Sequence, residues 1–298
     1  MKFQLLSDLH MEHHTFDLEK APGADCLILA GDIGDPYSQE YASLLATASR
    51  TFEFVFVIKG NHECHHGFPS TIDKDIKELC EKHANIFYLQ QGSVDLRDDI
   101  RVIGATLWTD IEDEQRSDVQ TFITDFGRVP NWSVMLNNHA HSRDVSFVQE
   151  EMTKALADSK KLVVVTHHAP YLKGTVRPEY KGSFISSAFC TDLSELLQDP
   201  PIHTWAFGHT HHSCRFMKNG MTIIANQRGY PREPTGFDSL CTFDVQPRQV
   251  SGPVPLARNV CSEPAMAVSV QSEEGSNGTK DTYRHVISKS MVYNHGEV

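Results

Sequence analysis

The sequence predicts an α/β fold built on parallel strands. Five short apolar runs, rich in β-branched and aromatic residues, are typical of strands that are buried on both faces. These runs cover residues 3–6, 26–30, 54–58, 162–165 and 204–207. Between them, residues 39–50 and 70–82 have helical composition, with Ser70 or Thr71 as the expected N-cap of the second helix. Each apolar run is followed directly by a polar cluster, so we expect the functional residues at the ends of the strands.

The middle and the end of the chain depart from this alternation of strands and helices. Residues 101–108 predict a strand and residues 142–156 predict an amphipathic helix. The polar and aromatic stretch between them is an insertion that either forms a lid over the crevice or only covers the edge of the sheet. An Asn-Gly turn that begins at Asn219, between residues 213–217 and 221–225, predicts a β-hairpin.

Length and composition predict one large domain over residues 1–245 and a tail over residues 246–298. The tail is rich in Pro, Ser, Gly and Gln and has few aromatic residues, so we expect most of it to be disordered. Its five basic residues balance its five acidic ones, which leaves the formal net charge of −12 to the domain.

Charge and cysteine usage exclude several classes of function. An acidic domain argues against nucleic acid as a partner, because nucleic-acid affinity depends on basic surface. The seven cysteines form no Cys-x-x-Cys pair, which suits reduced thiols better than disulfides or structural zinc. No apolar stretch is long enough to cross a bilayer, and the N-terminus lacks a signal-peptide pattern, so we expect a cytoplasmic protein without a membrane partner. The sequence leaves the oligomeric state open.

The five polar clusters together offer the ligands of a metal site. The candidate ligands are Asp8, His10, Asp32, Asn61, His167, His209 and His211. Carboxylate, amide and imidazole donors without thiolate suit Mn, Fe, Zn or Mg rather than a cysteine-bound structural zinc. In an open α/β sheet the carboxyl ends of the strands face one crevice, so ligands far apart in sequence can converge. Asp-x-His and His-x-His place both side chains on one side of an extended segment, so one metal can receive both.

Taken singly, each cluster has an ordinary explanation. Gly and Asn favour turns, and an isolated Asp-x-His is common at protein surfaces. Five such clusters in order, each after a predicted strand, indicate a metal site. A carboxylate such as Asp32 can bridge two cations, and paired metals about 3.5–4 Å apart can hold the attacking and leaving oxygens of a phosphoryl displacement.

The ordered clusters resemble the motifs of the calcineurin-like metallophosphoesterase superfamily over roughly residues 1–245. The matching positions are Asp8 and His10, Gly31 with Asp32 and Asp35, Gly60 to Glu63, His167, and Gly208 with His209 and His211. The resemblance implies a four-layer α/β/β/α sandwich with a helical insertion and two divalent metal ions. One metal would be held by Asp8, His10, Asp32 and His211, and the other by Asp32, Asn61, His167 and His209. His62 would act on the substrate, with Asp35 as its partner.

Two better-known branches of this superfamily do not match. Asp35 is followed by Pro36 rather than by the Arg-Gly of protein Ser/Thr phosphatases. Purple acid phosphatases have a tyrosine ligand where this chain has Asp35, and they lack the histidine that His10 supplies. The strings GATLWTD, THHAP, FGHTH and NQRGY look like those of small bacterial and fungal metallophosphoesterases.

The expected function is therefore hydrolysis of a small or nucleotide-like phosphodiester by in-line attack of a metal-bridging hydroxide. A phosphomonoesterase, including a protein phosphatase, a nuclease and a non-catalytic binding module on the same fold are the alternatives. Arg228 is a candidate for phosphate contact, because a guanidinium matches a phosphate, although a structural ion pair is the other explanation. His168 follows the ligand His167 and either faces the substrate or supports the ligands.

Overall fold

The structure is a computed structural model that describes residues 1–96, 99–180, 182–198 and 200–246. Apart from Gln246, the predicted tail over residues 246–298 lies outside the described residues, and its disorder stays a prediction.

The described residues form eleven strands and five helices. The strands are β1 (Lys2–Leu6), β2 (Cys26–Ala30), β3 (Phe54–Ile58), β4 (Ile86–Tyr88), β5 (Gly92–Leu96), β6 (Ile100–Ala105), β7 (Lys161–Thr166), β8 (Ile202–Phe207), β9 (Cys214–Lys218), β10 (Met221–Ala225) and β11 (Thr242–Asp244). The helices are α1 (Gln39–Thr51), α2 (Pro69–Cys80), α3 (Arg116–Phe122), α4 (Asp125–Arg128) and α5 (Val134–Ala157). All five apolar runs that predicted strands form strands, namely β1, β2, β3, β7 and β8.

The strands are arranged in two sheets. The first has the order β11-β1-β2-β3-β4, with β1 to β4 parallel and β11 antiparallel to β1. The second has the order β5-β6-β7-β8-β10-β9, with β6, β7, β8 and β10 parallel and the edge strands β5 and β9 antiparallel to their neighbours. The five strands that precede the polar clusters are thus divided between the sheets, three in the first and two in the second.

The side chains of β2 show how the layers stack. Leu27 and Leu29 lie in a core with residues of α1 and α2, whereas Ile28 lies in the core between the two sheets. Val148 and Ala155 of α5 cover the outer face of the second sheet. Because both faces of each central strand are covered, the sequences of these strands are continuous apolar runs. The four-layer α/β/β/α sandwich is confirmed.

Three predicted boundaries are wrong: the start of α2, the end of β6 and the start of α5. Helix α2 begins at Pro69 without a side-chain cap from Ser70 or Thr71, because a proline at the first helical position needs no partner for an N–H group. Strand β6 ends at Ala105 instead of continuing to Trp108, whose φ of 46° lies outside the strand region.

Helix α5 begins at Val134 instead of Ser142. The prediction missed its first turns because their inner face is polar and shows no apolar periodicity. Asn137 donates to a backbone carbonyl of the loop after β6 at 2.7 Å, and Asp144 accepts from the N–H of Leu107 at 2.9 Å. The helix therefore fixes the loop after β6 by hydrogen bonds. In the part of the chain that the structure describes, no helix combines the length and the apolar character needed to cross a membrane.

Candidate metal centre

The five polar clusters meet where the carboxyl ends of the two sheets adjoin. Within the first sheet the N–H of Asp8 donates to the carbonyl of Gly31 at 3.0 Å, and within the second the N–H of Gly208 donates to that of His167 at 2.9 Å. The N–H of His209 joins the two sheets, since it donates to Oδ1 of Asp8 at 2.9 Å. The candidate ligands therefore converge between two sheets rather than along the edge of one.

Five candidate ligands have a backbone conformation that L-residues rarely adopt. Their φ angles are 52° at Asp8, 45° at His10, 53° at Asp32, 72° at His209 and 48° at His211. A left-handed residue costs about 1–2 kcal/mol, and such strain is typical of functional sites. These side chains are thus directed by left-handed turns and not by the alternation of an extended strand that the sequence argument assumed.

Among the described residues, three groups of side chains could hold a metal, with the ligand atoms of each group within 4.8 Å of one another. The groups are Asp8, His10 and His211; His10, Asp32 and His62; and Asp32, His167 and His209. Asn61 Oδ1 lies 2.9 Å from His167 Nε2 and so adjoins the third group. His209 and His211 fall in different groups, which agrees with the resemblance and not with the idea that a His-x-His pair serves one metal.

Hydrogen bonds determine which ring nitrogen His10 and His211 turn toward the centre. Nδ1 of His10 lies 2.9 Å from Glu12, and Nδ1 of His211 lies 2.6 Å from Glu233. Because an ionised carboxylate only accepts, both Nδ1 atoms donate and Nε2 is left for a metal. The two Nε2 atoms face each other at 3.1 Å, an arrangement that a shared cation would stabilise. This buried set of nitrogen and oxygen donors fits a divalent metal.

His167 and His209 are oriented by backbone carbonyls. Nδ1 of His167 lies 2.9 Å from the carbonyl oxygen of Ala30, which leaves its Nε2 toward Asp32 Oδ2 at 3.4 Å. In His209 the opposite nitrogen is used, since Nε2 lies 3.3 Å from the carbonyl oxygen of Ala188. A carbonyl oxygen only accepts, so each ring keeps its other nitrogen available as a ligand.

The charges of the side chains make the centre attractive to cations. Burial lowers the pKa of His167, but the charges of Asp32 and Asp8 and the hydrogen bonds to Asp32 and the Ala30 carbonyl together outweigh burial and raise this pKa to about 9. Burial raises the pKa of Asp32, yet the charges of His167 and His62 hold it well below its usual value. Metal binding would displace the proton that His167 holds.

His62 lies beside the centre and is held by two partners. Its Nδ1 is 3.4 Å from a Glu12 oxygen, and its Nε2 is 3.1 Å from the hydroxyl of Tyr230. Asp35, the partner that the resemblance implied, instead has a carboxylate oxygen 3.7 Å from Nδ1 of His66. Glu12 therefore occupies the place expected for Asp35.

The two candidate substrate residues are engaged elsewhere. The guanidinium of Arg228 donates to the carbonyl of Thr15 at 2.9 Å and lies over the ring of Phe16, so it holds the loop after β1. His168 is buried, and its ring centroid lies 4.1 Å from that of His209. Both positions favour structural support of the centre over contact with substrate.

Several supporting residues were given no role from the sequence, although Glu63 belongs to a matched motif and Tyr230 to the NQRGY string. They are Glu12, Glu63, Asp125, Tyr230 and Glu233. Buried Glu63 accepts from three backbone N–H groups of the loops after β2 and β3 at 2.7–3.1 Å. Asp125 accepts from Nδ2 of Asn61 at 2.9 Å. Glu12 and Glu63 lie within two residues of candidate ligands and could have been found, whereas Asp125 reaches the centre from a distant segment.

A cavity of about 450 Å³ opens onto the centre. Its inner wall includes Asp32, Asn61, His62, His209 and His211. A further part of its wall, which also contains polar residues such as Ser183 and Ser186, is rich in apolar side chains: Phe122, Ile123, Leu172, Val176, Ile185 and Phe189. The insertion between β6 and α5 supplies two of these side chains, so it lines the cavity rather than only covering the edge of the sheet. The remaining four come from the segment between β7 and β8, for which no structure or role was predicted.

Comparison with known families identifies the chain. A family model for calcineurin-like phosphoesterases matches residues 1–213. The chain belongs to the calcineurin-like phosphoesterase family. This phosphoesterase is therefore a hydrolase that acts on phosphoric ester bonds. The family depends on two metals, which accords with the candidate ligand groups.

One protein is similar to this phosphoesterase in sequence and one in structure. An uncharacterized protein of Acanthamoeba polyphaga mimivirus is 28% identical over 271 residues, which cover 80% of this chain and 95% of the relative. The crystal structure of phosphopantetheinyl hydrolase from Mycobacterium tuberculosis matches with a TM-score of 0.62 at 16% identity. This match covers 78% of this chain and 90% of the other, and at that identity it concerns the fold.

Proposed function

We propose that this phosphoesterase is a dimetal phosphodiesterase of small or nucleotide-like substrates. One observation supports the proposal: side chains of the ligand groups that share Asp32 line the same cavity as a set of apolar side chains. In this proposal one metal is held by Asp8, His10, Asp32 and His211, and the other by Asp32, Asn61, His167 and His209. The candidate metals are Mn, Fe, Zn and Mg.

In the proposed reaction the metals would activate the water, and the side chains would orient the ligands and donate a proton. When bound, the two cations supply a nucleophilic water of lowered pKa and neutralise charge on the phosphoryl group. His62 lines the cavity, so it can donate a proton to the leaving oxygen or stabilise the charge that develops there. Glu12 contacts the rings of both His10 and His62, and so keeps a metal ligand and the proton donor in a fixed relation.

The walls of the cavity favour a diester over a monoester. A phosphomonoester carries a charge of about −1.5 to −2 at pH 7, whereas a diester carries a single charge and a second organic group. No Lys or Arg is found among the described residues that line the cavity, and Asp125 and Glu233 line it. The cavity therefore offers no Lys or Arg to a second charge, but it offers apolar side chains to a second organic group. The similar M. tuberculosis structure is that of a hydrolase named for a small organic phosphate group, which accords with this substrate class.

One preparation of the protein tests the proposal. Elemental analysis should find two metal equivalents, and hydrolysis of bis-nitrophenyl phosphate should exceed that of nitrophenyl phosphate in kcat/KM. Removal of the metals by a chelator should abolish both activities, and Mn²⁺ should restore them. A higher kcat/KM for the monoester would contradict the diester assignment. Full metal occupancy without hydrolysis of either ester would leave only a binding module.

A further inference from the structure

We infer that the cavity contains a subsite for an uncharged, apolar group attached to the phosphate of the substrate. This apolar subsite consists of Phe122, Ile123, Leu172, Val176, Ile185 and Phe189. The inference rests on the proposed function and adds the chemical class of the group that the ester carries.

The apolar subsite adjoins the metal centre directly. The ring of Phe189 stacks on the ring of His209, with centroids 5.3 Å apart and planes 30° apart. Asp32 and His211 line the same cavity. An ester whose phosphoryl group lies at these ligands therefore has the apolar wall within reach of one of its substituents.

Two aromatic side chains extend the apolar surface to the rim. Phe122 is 60% exposed and Phe184 is 57% exposed, and their rings meet edge to face with centroids 5.5 Å apart. One comes from α3 and the other from the segment between β7 and β8. Contiguous exposed apolar patches next to a cavity are typical of binding sites, whereas single exposed apolar residues are ordinary on protein surfaces.

Charge argues against an anionic substituent. Buried Asp125 lines the cavity, and the described lining contains neither Lys nor Arg. The nearby guanidinium of Arg177 is paired with Glu233 at 2.6 Å and also donates to the carbonyl of His211. A substituent with further phosphate groups would meet the carboxylates of Asp125 and Glu233 without a Lys or Arg in the described lining, whereas a neutral aromatic or aliphatic group would bury apolar surface.

Binding to the full-length, metal-loaded protein, measured before appreciable turnover of the diester, tests the inference through affinity and not through hydrolysis. Diphenyl phosphate and dimethyl phosphate carry the same single charge, so calorimetry measures the contribution of the substituents. We expect diphenyl phosphate to bind about tenfold more tightly or better, the range in which hydrophobic pockets discriminate. Dibutyl phosphate distinguishes an aromatic occupant from an aliphatic one. Equal affinity of the dimethyl ester and both larger esters would overturn the inference.

Variants connect this preference to the apolar subsite. Val176→Asp places a carboxylate in the wall, and Phe122→Ala removes an exposed ring, so both should reduce the ratio of diphenyl to dimethyl affinity severalfold. Met135→Ala is the control, because Met135 is 71% exposed and lies outside the cavity lining. Unchanged ratios in both cavity variants would overturn the inference. If diphenyl phosphate binds preferentially but no diester is hydrolysed, the proposed function is contradicted and the apolar subsite is not.

Discussion

Asp32 shows how one carboxylate can organise the metal centre. Its Oδ2 lies 3.4 Å from Nε2 of His167 and 3.9 Å from Nε2 of His10, and these histidines belong to different ligand groups. Its Oδ1 accepts from the backbone N–H of His62 at 2.9 Å, which limits rotation of the carboxylate. Asp8 belongs to a single group, in which it lies 3.5 Å from Nε2 of His211.

These contacts predict different effects for two aspartate variants. Asp32→Asn should lower occupancy at both metal positions and abolish hydrolysis, because the bridging charge is lost. Asp8→Asn should lower occupancy mainly at one position. Elemental analysis of the purified variants measures both effects. Two full equivalents of metal in Asp32→Asn would contradict the bridging role.

His62 offers a prediction that depends on the leaving group. Loss of a positioned acid reduces turnover by roughly 10²–10⁴. A nitrophenolate departs without a proton, whereas an alkoxide needs one. His62→Ala should therefore lose more turnover on alkyl or nucleotide esters than on nitrophenyl esters, while its metal content stays unchanged. His139→Ala is a matched control, since His139 is exposed on α5 and outside the cavity lining.

Two outcomes would change the role of His62. Equal losses on both kinds of ester would leave only charge stabilisation, with no proton donation. Loss of metal in His62→Ala would make it a ligand, which the group of His10, Asp32 and His62 also allows.

At the scale of elements, the loops after β3 and β8 approach the centre so closely that each needs a glycine. A Cβ at Gly60 would overlap Oδ1 of Asp32 and lie 2.7 Å from Cε1 of His167. A Cβ at Gly208 would lie 2.7 Å from Oδ2 of Asp8. These glycines let backbone and ligand side chains occupy adjacent space, which explains why they precede ligands in the sequence.

Gly60→Ala should therefore displace Asp32 and lower both metal content and activity. The matched control is Gly127→Ala in α4, where a Cβ would meet nothing within 4 Å. The control should keep its metal content and melting temperature. Elemental analysis and thermal unfolding measure the two variants together, and full metal content in Gly60→Ala would show that the loop can shift at little cost.

The same elements explain which parts of the fold the sequence could predict. Strands β2 and β3 are buried on both faces, so their apolar runs were recognised with their bounds unchanged. The edge strand β5 alternates half-buried and exposed residues, and β4 and β11 have three residues each, too few for a periodic pattern. The start of α5 was missed because its inner face is polar.

For the site, local sequence was informative only where a residue directly follows a strand. The ligands around Asp8, Asp32 and His167 lie at such positions, which is why their convergence could be predicted. Asp125 and Glu233 contact Asn61 and His211 through tertiary packing, and no local pattern encodes that contact. The proposed roles of the ligands stay predictions until metal binding is measured.

At the scale of the whole molecule, the end of the described chain closes the first sheet. Strand β11 pairs with β1, and Phe243 and Val245 are buried in the core between the sheets. The N–H of Val245 donates to the carbonyl of Met1 at 2.9 Å. The predicted domain boundary at residue 245 thus coincides with a buried residue, so a truncation must retain it.

Two truncations separate the contribution of this strand from that of the tail. A chain that ends at Gln246 should keep its activity and melt at a similar temperature, because the composition of residues 247–298 cannot offset the entropy of ordering. A chain that ends at Leu240 loses Phe243 and Val245, each worth about 1.5–3 kcal/mol when buried. For a domain of this size that loss lowers the melting temperature by roughly 10 °C. Thermal unfolding and diester hydrolysis of both chains test the prediction, and a comparable loss in the chain that ends at Gln246 would show that the tail binds the domain and stabilises it.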